Sequence, residues 1–194
     1  ARRIVAYVPD SVKKPEARED IGIYSGYSTW CELIVDRVRV SKFKVGMLIN
    51  DITSYYYIGN TVLINNDLLG VRLNGAAGSF VHNTIVGNLD GVTCMNRDVK
   101  ISNSIVVNNR GKQVETCSAD VRSPVVVGDA MNNPDYIVGT PDLTPDFKLM
   151  PTSANRECCI DKIVPDPSTP KFDFFGNPRP QNGKADVGFH ELIP

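Results

Sequence analysis

VHNTIVGNLDGV (residues 81–92) and ISNSIVVNNRG (101–111) are two copies of one phrase, and their repetition decides the fold of this 194-residue chain. Upstream the phrase returns as NTVLIN (60–65) and, with Asp in place of Asn, as DRVRVS (36–41). Its first positions, Asp36, Asn60, Asn83 and Asn103, stand 24, 23 and 20 residues apart. A repeat of that period is the mark of a solenoid, in which each unit buries its apolar face only against its neighbours.

The columns of the repeat carry a strand signal. Ile34, Ile58, Val81 and Ile101 precede the phrase, and Val38, Val62, Ile85 and Ile105 follow its first position by two residues. Val40, Ile64, Gly87 and Val107 follow by four. Alternation with period two and β-branched residues predicts short strands with these columns facing inward. The intervening column, Arg39, Leu63, Val86 and Val106, is then expected to face outward, and its aliphatic character predicts a cover over that face.

Glycines mark a second register: Gly22, Gly46, Gly70, Gly91 and Gly111, with Ile23, Met47, Val71 and Val92 after the first four. Gly111 is followed by Lys112 and Gln113 before Val114 arrives, which predicts a small insertion in the last coil. Each coil thus holds three strands, and the coils stack into three sheets. The Asn column suits a sharp corner, because Asn tolerates the left-handed backbone region. Stacked corners allow amide ladders. The spacing predicts one through Asn60, Asn83 and Asn103 and a second through Asn65, Asn88 and Asn108.

These phrases resemble those of right-handed parallel β-helix proteins of the pectate-lyase-like superfamily. The tail adds to the resemblance. DFKLMPTS (146–153) is similar to the segment that follows the last coil in many secreted bacterial members, and FGNPRP (175–180) with DVGFHE (186–191) is similar to their closing motif. Where relatives carry a stretch like SPAIDxG, this chain reads SANRECCID (153–161). The fold class expected is all-β: a single-stranded right-handed parallel β-helix, a three-sheet solenoid of about four to five coils with a long irregular C-terminal cap. Residues 1–20 read as a lead-in strand and lateral loop, 21–117 as coils, and the proline-rich 118–194 as the cap, all in one domain. Such a cap is expected to cover the open end of the helix, whose unpaired edge invites association.

The resemblance implies polysaccharide as the ligand and a groove along the sheet that follows the glycines. Outward positions there are Tyr24, Leu48, Arg72, Thr93 and Gln113, with Asn74, Arg97 and Lys100 nearby. Lyase chemistry needs the uronate carboxylate neutralised, so that the adjacent C–H is acidified, and a base to remove that proton. Arg72, which could bind or neutralise the uronate carboxylate, is the candidate catalytic residue, and Tyr24, Asn74, Thr93, Arg97 and Lys100 are candidate substrate-binding residues. Calcium often neutralises the carboxylate in this superfamily, held by carboxylates and carbonyls; the cofactor is otherwise unassigned, and no metal ligands are named. The alternative function is a non-catalytic β-helix module that binds glycans or partners, or forms part of a larger surface protein. No aligned carboxylate triad supports glycoside hydrolysis, and no GxSxG elbow supports a serine hydrolase.

Composition adds bounds. A net charge of −1 predicts no nucleic-acid binding, and no run approaches the ~20 apolar residues of a membrane span. Five cysteines leave at least one unpaired within the chain, and none has zinc spacing. Cys94 and Cys117, about one coil apart, are either stacked thiols or a bridge. Cys158 and Cys159 are expected to pair elsewhere rather than with each other. The expected localisation is secreted or cell-surface, of bacterial type. His82 is expected to point outward as an ordinary exposed histidine, and His190 to serve the closing motif structurally.

Overall fold

The computed structural model describes residues 21–25, 32–50, 55–74, 78–95, 99–119, 125–128 and 136–193. The lead-in segment 1–20 lies outside the described residues, as do Cys31 and Arg97.

The first coil comprises β1 (Ile21–Ser25), β2 (Glu32–Asp36) and β3 (Arg39–Ser41), and the second β4 (Val45–Ile49), β5 (Tyr55–Gly59) and β6 (Val62–Ile64). The third holds β7 (Leu69–Leu73), β8 (Ser79–Val81) and β9 (Thr84–Val86), and the fourth β10 (Asp90–Cys94), β11 (Lys100–Ser102) and β12 (Ser104–Val107). A shorter turn follows with β13 (Val114–Glu115), β14 (Ser118–Ala119) and β15 (Val125–Val127), then β16 (Tyr136–Val138). Equivalent strands pair in parallel into three sheets: β1-β4-β7-β10-β13, β2-β5-β8-β11-β14 and β3-β6-β9-β12-β15-β16. The chain is a parallel β-solenoid of about four turns, and the third sheet runs on past residue 117 through β15 and β16.

The register departs from the one the phrases suggest. Gly59 pairs with Val81, and Val81 with Ser102. The corner that follows is therefore Asn60, His82 and Asn103, with Arg37 ahead of them, and all four have positive φ, between 49° and 55°. Asn83 stands level with Thr61 and Ser104 instead. His82 takes the left-handed position in the third coil, so aligning Asn83 with Asn60 slips that coil by one residue. At the second corner the left-handed residues are Lys42, Asn65, Gly87 and Asn108, and the ladder runs one residue later.

That ladder is Asn66, Asn88 and Asn109, correcting the expected Asn65, Asn88 and Asn108. Asn66 Nδ2 donates to Asn88 Oδ1 at 2.9 Å, and Asn88 Nδ2 to Asn109 Oδ1 at 2.9 Å. Asn109 Nδ2 donates to Gln113 Oε1 at 2.8 Å, so a glutamine terminates the stack. Each rung also receives a backbone N–H from the coil before it, from Phe43, Asn66 and Asn88 in turn. These amides are buried, so their donors and acceptors must find partners inside the protein.

A one-residue slip moves every side chain to the other face, and the core shows it. Val40, Leu63, Ile85, Val106 and Val127 pack inside the coil with Met47, Val71, Ile58 and Phe80. Val62, Ile64, Val86, Ile105 and Val107 face outward, so the expected orientation is reversed for Leu63 and Val106 and for Val62, Ile64, Ile105 and Val107. The expectation of a cover holds. Leu149, Cys158, Ile163, Ala185, Val187 and Phe189 of the tail lie on these outward aliphatics. The C-terminal cap thus packs along the flank of the third sheet, because that is where a row of apolar side chains is left to bury. Its one helix among the described residues, α1 (Ser153–Cys158), is capped by Thr152 Oγ1, which accepts from Asn155 N.

The glycine register has a steric cause. A Cβ at Gly46 would lie 2.5 Å from the carbonyl oxygen of Gly70, and one at Gly70 would lie 2.6 Å from that of Gly91. No side chain fits between coils there. The insertion after Gly111 is present, since Val92 pairs with Val114 and Gly91 donates to Lys112 O.

Cys94 and Cys117 are bridged, joining the fourth coil to the turn after it. Cys158 and Cys159 are bonded to each other, against expectation, at the end of α1 where both are buried beneath the cap. The other two described cysteines are already joined, leaving this pair only each other among the described residues.

Candidate functional site

The outer face of the first sheet carries the row expected to bind ligand, in register across five strands: Tyr24, Leu48, Arg72, Thr93 and Glu115. Glu115 replaces the expected Gln113 at the fifth level. The two-residue insertion shifts the register, and Gln113 turns inward as the last rung of the amide ladder. Coils stack about 4.8 Å apart, so the row spans about 19 Å. Tyr24 is 58% exposed, Arg72 is exposed, and Leu48 and Thr93 are half-buried.

Arg72 has no side-chain hydrogen bond or ion pair among the described residues, whereas Glu115 is held by Lys112. Beside the row, Asn74 Nδ2 donates to Asn50 Oδ1 at 3.1 Å across one coil. That bond leaves the Asn74 carbonyl group free to accept. Lys100 is not part of this face: it begins β11 in the second sheet, paired with Ser118. Arg97 lies outside the described residues. The structure therefore brings Tyr24, Arg72 and Thr93 together, with Asn74 at the margin. This face can stack on a ring, attract an anion and hydrogen-bond to hydroxyls. No group of three or more His, Cys, Asp or Glu that could hold a metal occurs among the described residues.

A group of strongly perturbed titratable residues sits elsewhere, between the first corner and the tail. His82 is fully buried, correcting the expectation of an exposed ring. The tail covers it, and Arg179 Nη1 donates to its Nδ1. Desolvation, and then the Arg179 charge, hold its pKa well below the usual histidine range, so the ring is neutral. With Nδ1 accepting, the ring proton is on Nε2, 3.3 Å from the Asn103 side-chain amide. The structure places Asn103 Nδ2 there; turning the amide over brings Oδ1, buried without a partner as placed, to accept from that proton.

Arg179 also donates to the carbonyls of Asp186 at 3.2 Å and Gly188 at 3.1 Å, and its Nε lies 3.4 Å from Glu191 Oε2. Burial pushes Glu191 up to about 6 and raises Asp186. His190, packed beside Phe175 at 5.8 Å, is pushed down to about 4, chiefly by burial. This network ties the closing motif to the corner of the third coil, and its role is to hold the cap. Sequence reading gave it only as a tail motif; the signal overlooked was His82 standing where the second and fourth coils place Asn.

Acid should loosen the cap. A histidine neutral in the fold and charged when unfolded contributes stability above its unfolded pKa of about 6.5. That contribution is lost as pH falls toward the folded value, about 4 for His190. Glu191, raised to about 6, opposes this by binding its proton earlier in the folded chain. Two histidines against Glu191 and the likewise raised Asp186 leave a net loss between pH 6.5 and 4.5, because the histidine shifts set in at the higher pH. For His190 it is at most roughly 3 kcal/mol before solvent screening. Urea midpoints measured across this range should fall with pH, and His190→Phe should flatten the decline while sparing the neutral-pH value.

No helix among the described residues is long and apolar enough to cross a membrane. Comparisons with protein-family models, with curated proteins and with solved structures gave no match to this chain.

Proposed function

We propose that this protein binds acidic polysaccharide along the outer face of its first sheet, as a carbohydrate-associated β-helix protein of the pectate-lyase-like kind. The observation that carries the reading is the aligned row Tyr24–Leu48–Arg72–Thr93–Glu115. Its central guanidinium is exposed and without a partner among the described residues. An aromatic ring two coils to one side and a hydroxyl one coil to the other suit a linear chain of anionic sugars. The cap lies on the third sheet and does not compete for this face. Binding without catalysis is favoured over lyase action, since the shifted acids and bases belong to the cap network rather than to this row. Buried disulfides support an exported protein.

Affinity electrophoresis through pectate, alginate, chondroitin and hyaluronan tests the proposal, with calcium or with chelator. Retardation by at least one polymer is expected. Arg72→Ala should weaken it about tenfold, equivalent to about 1.4 kcal/mol, and Arg72→Lys should recover part. Full retention of affinity in Arg72→Ala overturns the site. Release of unsaturated uronate, detected by ultraviolet absorbance and lost in Arg72→Ala, would make the same face that of a lyase with Arg72 as its base.

A further inference from the structure

A concavity lies on another side of the molecule, where the first corner of the solenoid meets the tail segment at residues 170–172. It is an open cleft of about 400 Å³, within the size range of small-molecule sites. Asp36, Arg37, Tyr57 and Asn60 contribute from the coils, and Lys171 and Phe172 from the cap. The corner column produces this juxtaposition. Arg37 and Asn60 occupy successive left-handed positions, and the residue before Asn60 is Gly59, across which the Tyr57 hydroxyl lies.

The polar groups are only partly used. Asn60 Nδ2 donates to Asp36 Oδ1 and to Phe172 O, both at 3.0 Å. Both partners are acceptors, so the amide orientation is determined, and Oδ1 is left buried with no donor. Arg37 spends Nε on Asp36 Oδ2 at 3.1 Å, and its terminal nitrogens have no partner among the described residues. Lys171 has no ion pair among the described residues, so two cations face one carboxylate. Burial, and then the Asp36 charge, push the Tyr57 phenol up to about 12, which keeps it a neutral donor. Phe172, 50% exposed, and Ile34 supply apolar surface.

We propose that this cleft is a binding site for a single hydroxylated sugar acid, a uronate monosaccharide or the uronate end of a chain. Its carboxylate lies against the terminal nitrogens of Arg37 and the Lys171 ammonium, its hydroxyls against Asp36 and Tyr57, and its apolar face against Phe172. The excess of positive charge selects an anion, and the Asp36 carboxylate with the Tyr57 hydroxyl selects hydroxyl groups. The site shares no residue with the row on the first sheet and stands or falls separately from it.

The test is calorimetric and NMR titration of the full chain with galacturonate and glucuronate, beside galactose, glucose, galactose 1-phosphate and a short oligogalacturonate. The variants are Arg37→Asn with Lys171→Ala, and Arg72→Ala. Asn tolerates the left-handed backbone and Lys171 is exposed, so the double variant should unfold at the wild-type urea midpoint. Uronate should bind at least tenfold more tightly than the neutral sugars. Its affinity should drop at least tenfold in the double variant and stay unchanged in Arg72→Ala. Equal or tighter binding of the oligomer assigns the site to a chain end, and weaker binding assigns it to the free sugar. Absence of uronate binding, equal binding of neutral sugars, tighter binding of the phosphate, insensitivity to the double variant, or loss in Arg72→Ala would overturn the proposal.

Discussion

Asn88→Ala should lower the stability of the protein by about 3–5 kcal/mol, read as a shift of the urea unfolding midpoint at unchanged slope. Asn88 is the middle rung of the buried ladder. Its Oδ1 accepts from both the backbone N and Nδ2 of Asn66, each at 2.9 Å. Its Nδ2 donates to Asn109 Oδ1 at 2.9 Å and to Leu63 O at 3.1 Å. Alanine removes all of these at once and leaves the backbone N–H and the side-chain amide of Asn66 buried without the acceptor they share. Each such group costs about 1–3 kcal/mol. Asn108→Gly is the contrast. Asn108 is exposed at φ 54°, a conformation glycine adopts freely, so its midpoint should move by less than about 0.5 kcal/mol. Equal effects at the two positions would show that the corner conformation, rather than the amide ladder, holds the coils together.

Glu191→Ala should cost a similar amount, about 3–5 kcal/mol, through a different cause. Glu191 is fully buried. Its Oε1 accepts from Gln181 N at 2.9 Å and its Oε2 from Asp186 N at 2.9 Å. It is also the nearest anion to the buried Arg179 guanidinium. Removing one member of a buried pair leaves the other charge uncompensated, and that penalty rather than the lost attraction sets the size of the effect. The cap should come away first, so limited proteolysis should cut within 140–190 while the coils stay protected. Glu191→Gln keeps an acceptor and should fall between the two. Coils and cap lost together, with no proteolytic intermediate, would show that the tail is part of one cooperative unit.

Much of this architecture is legible in local sequence. The recurrence of Asn with alternating β-branched residues prescribes short strands and sharp corners, because strand pattern and left-handed tolerance are properties of individual residues. The glycine register prescribes where coils approach closely, and the late Val114 prescribes the insertion that the Val92–Val114 pairing shows. The outward row Tyr24, Leu48, Arg72 and Thr93 is legible for the same reason, since it lies at a constant offset from those glycines.

Tertiary structure decided what depends on register and on distant chain segments. Asn stands at either of two neighbouring corner positions from coil to coil, which leaves the local pattern degenerate by one residue. Only inter-coil pairing places His82 with Asn60 and Asn103, and so sends Leu63 and Val106 inward. Burial of His82 beneath Arg179, 97 residues later, has no local signature, nor does the meeting of Asn60 with Phe172, 112 residues apart. The sequence by itself determined a parallel β-solenoid, because its repeat is written in short-range preferences. The faces of its strands, the cap's hold on the third sheet and the cleft at the first corner were decided by packing, because a one-residue shift costs little locally and becomes decisive only when a neighbouring coil and the tail must bury the same side chains.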